Sequence, residues 1–260
     1  MIVGAGRGNG APVRGSNGHG TSCDKCPLRR RKALREFTPE ELAFVREFKT
    51  DELRVDPGAS FLREGTRSEF LYTVLNGWAF RYKMLDDGRR QILNYALPGD
   101  LVGLQGALMR EMEHSIEALT PLTLCVFPRQ KLWDLYARLP TLAFDVTWLA
   151  AREEQMLDDH LISVGRRSAL ERTAYVLMQI YTRAEESGLV ENNVTQIPLT
   201  QQHLADTLGM SLVHTNKTLK RLLQSKAVRW EQRTFEMLDR SALEEIAGDG
   251  IKTRLPRPFI

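Results

Sequence analysis

TQQHLADTLGMSLVHTNKTLKRLL, the stretch from Thr200 to Leu223, decides how this chain is interpreted, because it has the pattern of two short amphipathic helices joined by a tight turn. The hydroxyl of Thr200 is placed to cap the first helix, and Gly209 is placed to end it. Ser211 is then placed to cap a second helix that has one apolar side and one cationic side. The stretch therefore predicts a helix-turn-helix, a motif whose second helix enters the major groove of DNA.

Basic residues cluster around the second of these helices. Between residues 217 and 233 the single acid is Glu231, although the whole chain carries a formal net charge of only +3. A local cationic surface of this kind attracts DNA phosphate, whereas an ordinary helical hairpin with solvated charges is the alternative interpretation. The basic residues are Lys217, Lys220, Arg221, Lys226, Arg229 and Arg233.

Length and composition leave room for a second domain. The chain has 260 residues, 42% of them hydrophobic, which suits about two domains. It has neither a membrane-spanning apolar run of about 20 residues nor the apolar core of a signal peptide, so we expect a cytoplasmic protein without membrane contact. Three cysteines argue against a disulfide framework and leave metal binding or thiol redox chemistry open.

The region before the helix-turn-helix divides into segments of different character. Residues 1–22 are rich in Gly, Asn, Arg and Ser and are predicted to be disordered, whereas Thr38 and Pro39 begin a helix. From residue 53 to residue 127, β-rich runs alternate with turn dipeptides, which predicts a compact all-β unit. Antiparallel hairpins are expected at Asn76-Gly77 and Asp87-Gly88.

A long helix is predicted from Leu142 to Val164, where apolar residues recur at spacings of three, four or seven. Its seam fits a second copy of the chain, because helix-turn-helix proteins commonly bind DNA as two-fold dimers; packing on its own β domain is the alternative. Ser168 and Glu171 predict a capping box for a further helix, and VRWEQRTFEMLD (residues 228–239) predicts a β-wing. The predicted class is α+β, with a cysteine-bearing segment (1–37), a β domain (38–139), a dimerisation helix (140–166), a winged helix-turn-helix (167–243) and a tail (244–260).

This ordered set resembles the Crp/Fnr superfamily of bacterial transcription regulators over residues 38–240. The resemblance is carried by GRRQILNYALPGDLVG (residues 88–103), by the long helix and by LTQQHLADTLGMS (residues 199–211). It implies a homodimer with an N-terminal β-roll, which is a jelly roll like that of cyclic-nucleotide-binding domains. It also implies a winged helix-turn-helix that governs transcription, with a palindromic DNA operator and RNA polymerase as partners.

The resemblance also assigns residues of the helix-turn-helix to DNA. Thr200, Gln202 and Ser211 match positions that contact phosphate. Base edges are expected to meet Val213, Asn216 and Lys217. The predicted DNA-binding residues are Thr200, Gln202, Ser211, Val213, Asn216, Lys217, Lys220 and Arg221.

The family's cyclic-nucleotide pocket is altered in this chain. Leu104 stands where members that bind cyclic AMP have a Glu, and His114, followed by Ser115, stands where they have an Arg. An anion needs a cation and free amides, so this sequence does not predict cyclic AMP binding. His114 and Ser115 remain candidates for a different small ligand.

The cysteines resemble those of the oxygen-sensing, Fnr-like branch, which holds an iron–sulfur cluster. Cys125 matches the cysteine on a β-roll strand, and Cys23 and Cys26 form a Cys-x-x-Cys pair before the first helix, which makes these three the candidate metal ligands. The third N-terminal cysteine of that branch is missing, so a cluster needs His19, Asp24 or an external molecule as its fourth ligand. Thiol redox sensing and a merely buried Cys125 are the alternatives.

Two other function classes compete with a transcription regulator. One is a thiol oxidoreductase that uses Cys23 and Cys26, but the pair does not lie between a β-strand and an α-helix, and the sequence shows no catalytic constellation. The other is a cyclic-nucleotide or small-anion binding module whose helix pair contacts protein. The sequence therefore predicts a regulator rather than an enzyme, and it leaves the inducing signal open.

Overall fold

The computed structural model describes residues 14–15, 20–248 and 257–260. Most of the segment predicted to be disordered lies outside these residues, as does His19. Two short parts of it are ordered. Arg14–Gly15 form strand β1, which pairs antiparallel with Arg54 and Leu53, and the Ser22 side chain caps a 3-10 turn at Cys23–Lys25. The prediction of disorder is wrong for these parts, because backbone pairing and capping hold residues whose composition alone indicates a coil.

The β domain is a roll of two antiparallel sheets, preceded by helix α1 (Pro39–Phe48). One sheet has the order β1-β2-β9-β4-β7 and the other the order β3-β8-β5-β6. Two short helices, α2 (Leu104–Met109) and α3 (Leu132–Arg138), lie within and after the roll. The strands are β2 (Asp51–Val55), β3 (Ser60–Leu62), β4 (Phe70–Asn76), β5 (Ala79–Met84), β6 (Arg90–Ala96), β7 (Leu101–Val102), β8 (Ser115–Ala118) and β9 (Leu122–Pro128).

One of the two predicted hairpins is present. Strands β5 and β6 pair antiparallel across Asp87-Gly88, as predicted, but β4 and β5, which flank Asn76-Gly77, belong to different sheets. The prediction of a hairpin at Asn76-Gly77 is therefore wrong. Gly77 has φ +93° and lies against the backbone of Pro121, where a Cβ would stand 2.4 Å from the carbonyl oxygen. The chain passes from one sheet to the other at this point, and the Pro121 backbone leaves no room for a side chain at position 77. Gly77 therefore permits a crossover between the sheets and does not form a hairpin turn.

Two long helices connect the roll to the C-terminal domain. Helix α4 (Pro140–Arg166) contains the predicted seam, and its Leu142, Val146 and Leu149 are buried against the roll. Met156, farther along the same helix, is also buried, whereas Leu161 is 71% exposed, so the seam is uncovered near the end of α4. Helix α5 (Ala169–Glu186) begins with the predicted capping box of Ser168 and Glu171.

The C-terminal domain is a winged helix-turn-helix. Thr200 caps α6, Gly209 ends it in the left-handed conformation with φ +63°, and Ser211 caps α7, each as predicted. The predicted wing is formed by β11 and β12, which pair antiparallel. The elements are β10 (Val194–Gln196), α6 (Gln201–Leu208), α7 (Leu212–Gln224), β11 (Val228–Glu231), β12 (Thr234–Met237) and α8 (Arg240–Ala247).

The winged domain and helix α5 together, which we call the reading head, share a hydrophobic core with the roll. Phe80, Ile92 and Tyr95 of the β5–β6 hairpin pack in one cluster with residues of α5, α6 and α8. The predicted tail also differs from expectation, because residue 244 lies within α8 and the segment Arg257–Ile260 is buried against the roll. The roll is therefore in contact with the reading head and with the end of the described chain.

Candidate nucleic-acid interface and sensor sites

The second helix of the motif, α7, presents a free outer face. Its inner face is held on α5 and α6 by Thr215, Leu219 and Leu222, which are buried. Val213 is 80% exposed, and Lys217, one turn farther on, is exposed as well. Asn216 lies beside them and is half-buried. Val213 and Lys217 thus share the exposed side of a helix that is packed on its other side, and Asn216, whose side-chain oxygen is buried, lies at the edge of that exposed side.

The three residues matched to phosphate lie at the beginnings of the two helices. The Thr200 hydroxyl accepts a hydrogen bond from the amide of His203 at 3.1 Å, and the Ser211 hydroxyl accepts one from the amide of His214 at 3.3 Å. Gln202 is exposed and donates from Nε2 to Asp206 at 2.6 Å. Each of these side chains is exposed at a helix N-terminus, where free amides and the helix dipole favour a phosphate.

A cationic groove runs between α7 and the beginning of α5. It has a volume of about 680 Å³ and brings Lys217, Lys220 and Arg221 beside Ser168 and the first residues of α5. The three cations are exposed. This arrangement places positive charge along the flank of the exposed helix, where a DNA backbone would run.

Three polar contacts tie α6 to the β5–β6 hairpin of the roll. Arg90 forms an ion pair with Asp206 at 2.8 Å, the Tyr95 hydroxyl bonds the Thr207 hydroxyl at 2.5 Å, and Gln91 donates to the Thr207 carbonyl at 3.1 Å. Burial raises the pKa of the Tyr95 phenol, which stays protonated. The reading head is thus attached to the roll through the helix that precedes the recognition helix.

A cavity of about 430 Å³ lies between the roll and α4, and His114 and Leu104 line it. The His114 Nε2 atom accepts from Arg81 Nε at 3.0 Å, and Arg81 also forms an ion pair with Glu153 of α4. Burial, together with Arg81, lowers the pKa of His114 to about 3, so the ring is neutral. Ser115 is not among the lining residues, and its hydroxyl accepts from the amide of Glu64 at 3.1 Å. The structure therefore brings one of the two predicted ligand residues, His114, to the cavity as a neutral ring, and Arg81, Arg152 and Arg257 line the same cavity.

The three cysteines line one small cavity of about 20 Å³. Burial raises the pKa of Cys125 to about 12 and also raises the pKa of Cys23, so both are neutral thiols. Lys49 lines the same cavity, and its ammonium group donates to Glu52 at 2.6 Å. The fold thus brings Cys23 and Cys26 of the cysteine segment next to Cys125 of strand β9.

These residues do not fit a metal or an iron–sulfur cluster as they stand. Within the described parts of the chain, no group of three or more His, Cys, Asp and Glu residues is arranged to hold a metal ion. Asp24, a predicted fourth ligand, is paired with Arg46 at 2.5 Å instead. The cavity has room for about one water molecule, which is far less than a cluster needs.

The structure adds contacts that the sequence pattern does not indicate. Arg31, in the cysteine segment, donates to the carbonyl of Ser187 at the end of α5. Asp100 is buried and binds both Arg183 of α5, at 2.5 Å, and Arg257, at 3.1 Å. The sequence offers one signal for this cluster, which is the acid of the Pro98-Gly99-Asp100 turn. An aspartate that becomes buried in the fold needs a partner, because Asp is rarely buried without one.

Comparison with known proteins matches both domains. The cyclic nucleotide-binding domain family matches residues 52–139, and the Crp-like helix-turn-helix domain family matches residues 171–246. The nitrogen fixation regulation protein FixK of Bradyrhizobium diazoefficiens is 30% identical over 233 residues, which cover 89% of this chain and 95% of FixK. The transcriptional activator protein FnrL of Cereibacter sphaeroides is 27% identical over 238 residues, covering 90% and 95% of the two chains.

Solved structures agree with these matches. The structure of FixK2 from Bradyrhizobium japonicum superimposes with a TM-score of 0.69 at 25% identity, and the match covers 78% of this chain and 98% of FixK2. FixK is named as a regulation protein and FnrL as a transcriptional activator, and neither name is that of an enzyme. No helix in the described part of the chain is long and apolar enough to cross a membrane.

Proposed function

The chain belongs to the Crp/Fnr family of DNA-binding transcription regulators, and from this premise we propose that it acts as a homodimer that reads a palindromic operator with two copies of α7. The observation that carries the proposal is the exposed face of α7 beside a groove of exposed basic side chains at its flank. RNA polymerase is the proposed partner at the promoter, because several relatives are named transcriptional activators.

The proposed roles of the DNA-binding residues follow from their positions. Val213, Asn216 and Lys217 meet base edges, since Val213 and Lys217 lie on the outer side of α7 and Asn216 lies at the edge of that side. Contacts to phosphate come from the N-termini of α6 and α7 and from the basic flank, which set the register of the helix in the groove. These phosphate-contacting residues are Thr200, Gln202, Ser211, Lys220 and Arg221.

A substitution series tests these roles. We expect Lys217→Ala to lower affinity and to relax the preference at one base pair of each half-site, by about 1–3 kcal/mol per half-site. Lys220→Ala is expected to weaken binding to all duplexes alike and to reduce the salt dependence. Lys83→Ala, at an exposed lysine on strand β5 of the roll, is the control. An unchanged base preference for Lys217→Ala would refute the proposed role.

The proposed dimer surface is the uncovered part of α4. Phe144, Leu161 and Ile162 are all more than half exposed on this helix. Exposure of these apolar side chains to water is unfavourable in free energy. The proposed dimer covers them with the same helix of a second copy, which is related to the first by two-fold symmetry. The proposed domains are the cysteine segment (1–37), the roll (38–139), α4 (140–166), the reading head (167–243) and the remainder (244–260), although the last part includes the end of α8.

We infer that the signal enters at the cysteine cavity. The convergence of Cys23, Cys26 and Cys125 supports this, and the contact between Arg31 and Ser187 links the cysteine segment to α5 of the reading head. Modification of the thiols is the proposed chemistry, and it requires the cavity to open, because Cys125 is buried and both Cys23 and Cys125 are neutral thiols. The test compares the DNA affinity of reduced and thiol-modified protein, and equal affinities would overturn this inference.

An iron–sulfur cluster is the second candidate signal, favoured by three thiols that line one cavity. It requires the cavity to open, because the residues do not fit a cluster in this arrangement. Anaerobic purification with an absorption spectrum and iron and sulfide assays decides it, and a colourless, iron-free sample excludes it. A small ligand at His114 and Ser115 stays a prediction. Cyclic AMP is not expected there, because His114 is neutral and the three arginines that line the cavity, Arg81, Arg152 and Arg257, are each paired with a carboxylate.

A further inference from the structure

The segment Arg257–Ile260, which we call the strap, is docked on the roll far in sequence from every residue it contacts. All four of its residues are buried. Its backbone pairs with the cysteine segment: the amide of Arg257 donates to the Ala33 carbonyl at 2.9 Å, and the amide of Arg35 donates to the Arg257 carbonyl at 2.8 Å. The strap is therefore held by two backbone hydrogen bonds of an isolated bridge as well as by its side chains.

The first residue of the strap reaches the link between the roll and the reading head. The Arg257 guanidinium donates to the carbonyls of Gly99 at 3.0 Å and Pro98 at 3.2 Å and pairs with Asp100. Gly99 permits this approach, because a Cβ there would stand 3.0 Å from the guanidinium. Asp100 also holds Arg183 of α5, so the strap and the reading head share one carboxylate.

The other end of the strap closes the cysteine cavity. Phe259 stacks on Phe37 with ring centroids 4.6 Å apart, and the Ile260 carbonyl accepts from the Thr73 hydroxyl. Phe259 and Ile260 are each 3% exposed, and both line the cavity together with the three cysteines. Of the remaining apolar walls, Val45 and Phe127 belong to α1 and β9, whereas Leu28 and Phe37 belong to the cysteine segment, and all four pack in one hydrophobic cluster.

We propose that the strap is a detachable plug of the cysteine cavity: a docked strap shields the thiols, and a group that occupies the thiols displaces the strap and frees Asp100 from Arg257. The cavity holds about one water molecule, so an added group needs space that the core walls do not yield without unfolding the roll. The strap is the wall proposed to leave, because its backbone pairing is an isolated bridge outside the sheets of the roll. This explains why three thiols converge where a cluster does not fit.

The proposal rests on the proposed sensor role of the cysteines. Its test contains no DNA, so that failure of the strap proposal can be distinguished from failure of the sensor role. The full chain is alkylated with iodoacetamide under native, reducing conditions, and each cysteine is followed by mass spectrometry. We expect Phe259→Ala/Ile260→Ala to speed the labelling of Cys125 at least about tenfold, because removal of the apolar contacts favours the open state. Phe70→Ala, an exposed phenylalanine outside the cavity, is the control and should label like the wild type. Any smaller acceleration of Cys125 labelling would overturn the proposal.

A second measurement covers the case in which the double variant misfolds. Wild-type protein is alkylated to completion, and hydrogen exchange is measured at the amides of Arg35 and Arg257, which bond across the strap. Displacement predicts that both amides lose protection, while amides in the β5–β6 hairpin keep theirs. Retained protection at Arg35 and Arg257 in fully alkylated protein contradicts the proposal. Altered exchange with unchanged DNA affinity supports the detachable strap and refutes only the sensor role.

Discussion

Asp100→Asn is expected to be among the most destabilising single polar substitutions in this protein. The Asp100 carboxylate is 11% exposed, and it accepts hydrogen bonds from the Leu97 amide at 2.7 Å and from Arg183 at 2.5 Å. Arg257, whose side chain is 4% exposed, pairs with it at 3.1 Å. Asparagine keeps the shape and one acceptor oxygen but deprives the buried Arg257 and the mostly buried Arg183 of the carboxylate with which both are paired.

The magnitude follows from the burial of these groups. Removal of one partner from a buried ion pair typically costs about 3–5 kcal/mol. The lower end applies to Asp100→Asn, because the retained amide oxygen still accepts one hydrogen bond. At about 2–4 °C per kcal/mol for a chain of this size, a loss of about 3 kcal/mol lowers the Tm by about 6–12 °C.

The assay is thermal and urea unfolding of DNA-free protein at neutral pH, with Asp87→Asn as a control on an exposed turn. A double-mutant cycle with Arg183→Gln separates the ion pair from general damage, since the two substitutions should be less than additive. A Tm within about 2 °C of the wild type for Asp100→Asn would refute the reasoning, because a buried carboxylate with two cationic partners cannot be neutral to stability in this geometry.

The same carboxylate predicts a pH dependence. Burial by itself raises the pKa of Asp100, but Arg183 and Arg257 outweigh it and hold the pKa below its ordinary value. The stabilisation is therefore fully present above the ordinary aspartate pKa of about 3.9 and is lost as the pH falls through the lower, folded-state pKa. The stability difference between the wild type and Asp100→Asn should stay constant from about pH 7 to about pH 5 and shrink below about pH 4.

Three further predictions concern other parts of the molecule. Leu161→Glu, on the exposed part of α4, should shift the protein to monomer in light scattering at micromolar concentration, because it places a charge in the proposed seam; an unchanged dimer would place the interface elsewhere. Thr200→Ala removes the cap of α6 and should cost about 1 kcal/mol in urea unfolding, whereas Thr200→Ser should cost much less. Tyr95→Phe removes one buried hydrogen bond between roll and reading head and should cost about 1 kcal/mol; no change would show that this contact does not hold α6.

Local signals explain which elements could be predicted from the sequence. Helix starts at Thr38, Ser168 and Ser211 are set by side chains that bond amides three residues away, so their pattern is visible without the fold. The wing and the β5–β6 hairpin are likewise short-range features. The exposed face of α7 follows from helical spacing, because one side must pack on the neighbouring helices.

Long-range contacts explain what could not be predicted from the sequence. The crossover at Gly77 depends on the approach of Pro121, which a dipeptide pattern does not contain. The strap follows a basic, proline-containing stretch that predicts no docking, although Phe259 and Ile260 are the kind of residues that need burial. The family resemblance alone predicted that the cysteines lie together. The closure of their cavity by the strap depends on tertiary packing.

The most direct test of the central claim, that this chain reads DNA sequence through α7, is its discrimination between two duplexes. A palindrome selected by the protein from a randomised library and a scrambled duplex of equal length are titrated by fluorescence anisotropy over a range of salt concentrations. We predict a preference of at least about 10³-fold for the palindrome, with affinity falling steeply as salt rises, and a loss of much of that preference in Lys217→Ala. Equal affinity for both duplexes, in reduced and in thiol-modified protein alike, would contradict the claim.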